Sequence, residues 1–114
     1  EPIEWNTLRK AINDKLSKQY KVNEDKLMGP YFLSKKVLKT DEEGMIEDTE
    51  GFIRTFKSKV IMYLYEDAAK QHKYKLFEGC DNSKYSSVCD AFDKIGIRIF
   101  GDNFKADYYN NQEG

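Results

Sequence analysis

The chain has 114 residues, 39% of them hydrophobic and 34% charged, with 19 Lys+Arg against 20 Asp+Glu for a net charge of -1. That length suits one domain, which at this size buries roughly 60–70% of the surface of its unfolded chain. Balanced charge argues against a dedicated nucleic-acid module, and aromatics at 14% can fill a core, which argues against disorder.

No apolar run approaches the ~20 residues needed to span a bilayer, and the N-terminus lacks the order of a signal peptide. The chain therefore reads as soluble and cytoplasmic, with no membrane partner. Cys80 and Cys89 are the only cysteines and His72 the only histidine. With no CxxC or HxxxH spacing, they predict neither a disulfide scaffold nor a metal site.

In chain order, the first element is an amphipathic helix over Ile3 to Tyr20. Trp5, Leu8, Ile12 and Leu16 fall at three- and four-residue steps and form an apolar stripe, while Arg9, Lys10, Asn13, Asp14 and Lys18 take the other faces. "EDKLMGPYFLSKKVL" follows, Glu24 to Leu38. Pro30 has no N–H and pushes Gly29 out of the α region, so no helix continues through it. Tyr31, Phe32 and Leu33 then suit a short extended piece. "KTDEEGMIEDTEG", Lys39 to Gly51, is acidic and poor in core formers and reads as a solvated linker or mobile loop.

Phe52 to about Gln71 carries the longest helical pattern, with Phe52, Phe56, Val60, Tyr63 and Leu64 at helical spacing. Ile53, Ile61 and Tyr65 widen its apolar face, which suits a central helix touched on two sides. "HKYKLFEG" continues as a frayed turn or short helix, with Gly79 as its stop. A further helix spans "NSKYSSVCDAFDKIG", with Ser83 or Ser86 as N-cap and Gly96 as left-handed C-cap. "IRIF", Ile97 to Phe100, is β-branched and aromatic and suits a short strand or an extended return across the helices; as a strand it could pair with Tyr31 to Leu33. The tail from 105 to 114 reads as frayed.

The expected fold is mainly α: a single helical domain over 1–104 with about three to four helices and at most a short two-stranded β element. No catalytic constellation accompanies it. The sequence has no GxxxxGK[ST] phosphate loop, no GxGxxG after a strand and no GxSxG elbow. Glu66-Asp67 and Glu47-Asp48 are adjacent pairs, which diverge on a helix rather than converge on a proton. By itself the chain reads as non-catalytic.

The order of its segments nevertheless resembles the C-terminal part of the McrB-type AAA+ proteins, the nucleotide-hydrolysing motors of modification-dependent restriction systems. Their helical subdomain carries a motif close to "RIGHSYF", then a variable insert, then a helix ending in an aromatic-rich "LLxEYFxDD" pattern. "KLMGPYF" places Lys26 on the arginine, Leu27 on the isoleucine, and Tyr31 and Phe32 on the tyrosine and phenylalanine. "MYLYEDAAK", Met62 to Lys70, resembles the second pattern, with Glu66-Asp67 on its acidic pair. Gly29 and Pro30 stand where the family has histidine and serine, and Lys26 keeps the arginine's charge without its planar fork. The resemblance covers Trp5 to Phe77; Cys80 to Phe104 has no counterpart in the shorter family members, although "YSSVCDAFDKIGIRIFG" within it resembles the longer bacterial relatives.

The resemblance implies a lid subdomain whose Walker motifs lie upstream in an α/β core of the same polypeptide. It implies ATP or GTP with Mg²⁺ as the parent's nucleotide, neighbouring subunits of a ring as partners, and a McrC-type nuclease driven by the motor. Lys26 would be a sensor-like donor to the nucleotide phosphates, with the Gly29-Pro30 turn and Tyr31-Phe32 anchored in the helical core to hold it there. The plainer reading of Lys26 is a solvated loop lysine.

Two other readings remain open at this stage. One is a standalone helical protein-interaction module, presenting the acidic loop with Tyr74, Tyr108 and Tyr109. The other is a winged-helix-like DNA binder, using "SSVCDAFDKIG" as recognition helix and "IRIFGDNFK" as wing. Asp90 and Asp93 beside a single Lys94 make a poor charge pattern for a phosphate backbone, so no direct nucleic-acid binding is expected.

Overall fold

A computed structural model describes residues 4–104. They form a mainly helical domain, with no strand among them and a single isolated bridge between Thr40 and Ile46. Tail residues 105–114, including Tyr108 and Tyr109, lie outside the described residues.

Helix α1 (Trp5–Asp14) begins at Glu4, whose carboxylate accepts from the Asn6 N–H at 3.2 Å and the Thr7 N–H at 2.6 Å. An anion at this end also complements the helix dipole. The helix runs on in a π-helical segment, Lys15–Gln19, and the expected stripe of Trp5, Leu8, Ile12 and Leu16 is buried throughout. Lys21, at φ 55°, then turns the chain back, and the Val22 N–H reaches the Leu16 carbonyl at 3.0 Å.

Helix α2 (Thr49–Thr55) is capped by Asp48, which accepts from the Gly51 N–H at 2.9 Å. It continues through two π-helical stretches, Phe56–Ile61 and Leu64–Ala68, to the Ala69 N–H, which bonds the Leu64 carbonyl at 2.9 Å. Phe52, Phe56, Val60, Ile61, Leu64 and Tyr65 are all buried along this rod, so it is the central element that its wide apolar face predicts. A short turn leads into α3 (Lys73–Leu76), the short helix expected after it. Helix α4 (Tyr85–Ile95) closes the set, burying Val88 and Phe92. Phe56 joins three helices: its ring stacks on Phe92 at 4.5 Å and meets Trp5 edge-on at 6.4 Å. Pairs of this kind contribute beyond their area of burial.

Two local expectations are corrected. Ile97 to Phe100 is no strand but part of a 3₁₀ turn, Gly96–Phe100, with Ile97, Ile99 and Phe100 buried. Gly96 at φ 58° and Gly101 at φ 98° reverse the chain at both ends, and the four residues between them coil as a 3₁₀ turn rather than extend. Its apolar side chains satisfy the core, not a sheet. The partner is also not Tyr31 to Leu33: the Ile99 carbonyl accepts from the Gly79 N–H at 3.0 Å. Without a strand here, no two-stranded wing follows α4 among the described residues.

Neither Ser83 nor Ser86 caps α4. The cap position is Lys84, with no side-chain bond, because Ser83 is engaged by Asp81, which accepts from both its N–H and its hydroxyl. The acidic segment is a solvent-exposed loop, one of the two forms expected for it. Asp41 Oδ1 accepts from the Glu43 and Met45 N–H groups, and the Asp41 N–H bonds the Met45 carbonyl at 2.8 Å, so 39–47 closes into a small hydrogen-bonded loop with its carboxylates in solvent.

Candidate functional site

The segment from Glu24 to Leu33 is bound from two sides. A single 3₁₀ turn, Glu24–Lys26, is followed by extended Leu27 and by Met28, whose side chain is buried. From α1, the Asn13 carboxamide bonds Met28 twice: its Nδ2 donates to the Met28 carbonyl at 2.8 Å and its Oδ1 accepts from the Met28 N–H at 2.9 Å. Arg9 Nη1 donates to the same carbonyl at 3.1 Å. From the α2 rod, the Tyr63 hydroxyl donates to the Lys26 carbonyl at 2.8 Å.

Gly29-Pro30-Tyr31-Phe32 is a β-turn closed by the Phe32 N–H on the Gly29 carbonyl at 3.1 Å, with proline at its favoured second position. This geometry corrects the expected aromatic anchor. Tyr31 occupies the outer corner of the turn and is 76% exposed, whereas Phe32 at the turn's end packs on Tyr63 with ring centroids 5.1 Å apart. The Lys59 ammonium stands 5.5 Å from the Phe32 ring. Met28 and Leu33, either side of the turn, are the fully buried anchors. Gly29 has no positive φ, and a Cβ there would meet nothing within 4 Å.

Lys26 itself reaches across to the end of the α2 rod. Its Nζ lies 3.0 Å from Asp67 Oδ1, with the two side chains 48% and 50% exposed. The hydrogen bond to Asp67, followed by that carboxylate's charge, pushes the Lys26 ammonium above its ordinary pKa. Burial first, then the Asp67 charge, raises the Tyr63 phenol. The fold thus brings Lys26 and Phe32, from the first motif-like segment, onto Tyr63 and Asp67 of the second, across 37 and 41 residues for the two Lys26 contacts. The sequence places Asn13 only on a polar face of its helix. Its sole signal there was an amide beside the apolar stripe, which does not name a partner fifteen residues on.

The cluster holds a cation, a phenol and a carboxylate, with no thiol or imidazole among them. It can offer a charged donor to an anion, but it has no nucleophile paired to a base. Elsewhere, burial raises both Cys80 and Cys89, which favours the unreactive thiol. His72 stacks on Tyr20, ring centroids 4.7 Å apart. Among the described residues no group of three or more metal-ligating side chains converges, and no helix is long and apolar enough to cross a membrane. An open groove of about 750 Å³ beside Lys15, Tyr20, His72 and Lys75 shares no residue with the Lys26 cluster.

The chain is similar to the type II restriction enzyme BsuMI component YdiS of Bacillus subtilis (strain 168), at 32% identity over 91 residues. The match covers 80% of this chain and 22% of that protein's length. No family profile matches the chain, and no solved structure does.

Proposed function

We propose that this chain is the C-terminal helical lid of a McrB-like AAA+ NTPase acting in a restriction system. The restriction context is supported by the similarity to a restriction enzyme component along most of the chain. The lid reading is carried by one observation: the two motif-like segments meet in space, with Lys26 held between Tyr63 and Asp67. A half-exposed ammonium on a backbone pinned from two helices is a fitting charged donor to nucleotide phosphates. A phosphate cradle and a water-activating carboxylate would have to come from the upstream α/β core. The lid supplies no chemistry alone.

In this reading it couples ATP or GTP, bound with Mg²⁺, to rigid-body motion against that core and against neighbouring subunits of a ring. The output is activation of a McrC-type nuclease. The test is the coding sequence upstream of Glu1: a strand-borne GxxxxGK[ST] followed by an acidic Walker B strand is expected, and a polypeptide without them overturns the proposal. Tyr31 and Tyr74, 76% and 61% exposed, favour a second use of the surface as a protein-docking module, which would persist without nucleotide.

A further inference from the structure

We propose that Asp67 is a built-in counter-ion that holds Lys26 when no phosphate is present and releases it to an arriving nucleoside triphosphate. The inference rests on the lid reading above and adds a regulatory element to the same site.

Three features of the contact support it. First, Lys26 is restrained in two separable ways. Its carbonyl is fixed by the Tyr63 hydroxyl at 2.8 Å, while its ammonium is held by Asp67 at 3.0 Å. Losing the second contact leaves the first intact, so the side chain can swing without the backbone moving. Second, both charged groups are about half exposed. An ion pair in water contributes little and exchanges readily, and a triphosphate offers several negative charges where Asp67 offers one. Third, Asp67 lies in the last turn of the α2 rod, ahead of Ala68. A carboxylate there faces the negative end of the helix dipole, an unfavourable position that the ion pair with Lys26 offsets.

The pair therefore competes with nucleotide. Bound triphosphate must displace Asp67, so removing that carboxylate tightens binding, while removing Lys26 weakens it. The expected gain is modest, about two- to fivefold, in keeping with the small worth of exposed pairs. Asp93, which pairs with Lys57 at 2.9 Å between α2 and α4, provides a charge-matched control of similar exposure.

The experiment is a titration of the full-length protein with fluorescent ATP and GTP analogues in the presence of Mg²⁺, comparing the native protein with Lys26→Ala, Asp67→Asn and Asp93→Asn. Tighter binding in Asp67→Asn, weaker binding in Lys26→Ala and no change in Asp93→Asn support the proposal. If Lys26→Ala weakens binding but Asp67→Asn does not tighten it, the counter-ion role is overturned and the lid reading stands. Equal tightening in Asp67→Asn and Asp93→Asn would show a general charge effect and also overturn it. A native protein that binds neither nucleotide overturns the lid reading, and this inference with it.

Discussion

The Asn13 carboxamide pairs with both backbone groups of Met28, at 2.8 and 2.9 Å, much as a neighbouring β-strand would. One side chain of α1 thereby fixes the start of the turn that carries Lys26. Asn13→Ala strips partners from two half-buried backbone groups, each costing about 1–3 kcal/mol when left unpaired. Arg9 still serves the carbonyl, so a net loss of about 2 kcal/mol is expected in chemical denaturation. Asn13→Asp should be at least as harmful, because a carboxylate oxygen then faces the Met28 carbonyl. A loss below about 0.5 kcal/mol for both would remove Asn13 from the account.

Two glycines make opposite predictions. A Cβ on Gly79 would overlap the Arg98 carbonyl oxygen and stand 2.7 Å from the Gly101 nitrogen, both backbone atoms with little room to shift. Gly79→Ala should therefore cost about 3 kcal/mol or more, in the range of severe core disruption. Gly29, although part of the motif-like turn, has open space where its Cβ would sit and an ordinary φ. Gly29→Ala should be neutral or stabilise by about 0.4–1 kcal/mol through the unfolded chain. Thermal unfolding of the two variants side by side checks both.

The tyrosines predict a loss of stability in alkali. Burial, and then contact with Cys89, raises the Tyr85 phenol far above its ordinary value, and burial leads the rise of Tyr20, Tyr63 and Tyr65. In each case the unfolded chain ionises first. The folded state is therefore favoured fully below about pH 10, and that advantage is lost progressively as pH rises beyond it. The melting temperature should decline gently from about pH 8.5, where the Cys80 and Cys89 thiols begin to ionise in the unfolded chain, and fall more steeply above about pH 10. Tyr85→Phe should shallow the fall, at the cost of the 2.7 Å bond from its hydroxyl to the Lys57 carbonyl. An unchanged slope in that variant would contradict the assignment.

The helices were legible because their signal is periodic. Trp5, Leu8, Ile12 and Leu16, and later Phe52, Phe56, Val60 and Leu64, repeat at the pitch of a helix and are buried as that repeat requires. What was not legible was set by contacts distant in sequence. Ile97 to Phe100 has β-forming residues, yet the core takes them as a 3₁₀ turn between two glycines of positive φ. Tyr31 and Phe32 are neighbours of similar chemistry. Only the turn geometry sends one outward and the other onto Tyr63. For the site, the alignment of motifs singled out Lys26 and the Glu66-Asp67 pair separately. That Asp67, rather than Glu66, meets Lys26 depends on the phase of the rod, which composition and spacing leave open.

The measurement that tests the central claim most directly is Mg²⁺-dependent hydrolysis of ATP and GTP by the full-length protein, native against Lys26→Ala. If this chain is a lid whose lysine reaches the phosphates, one nucleotide is hydrolysed and the variant loses about tenfold or more in kcat/KM, the scale of one lost charged donor. Hydrolysis that is absent in the native protein, or unchanged in the variant, would contradict the account.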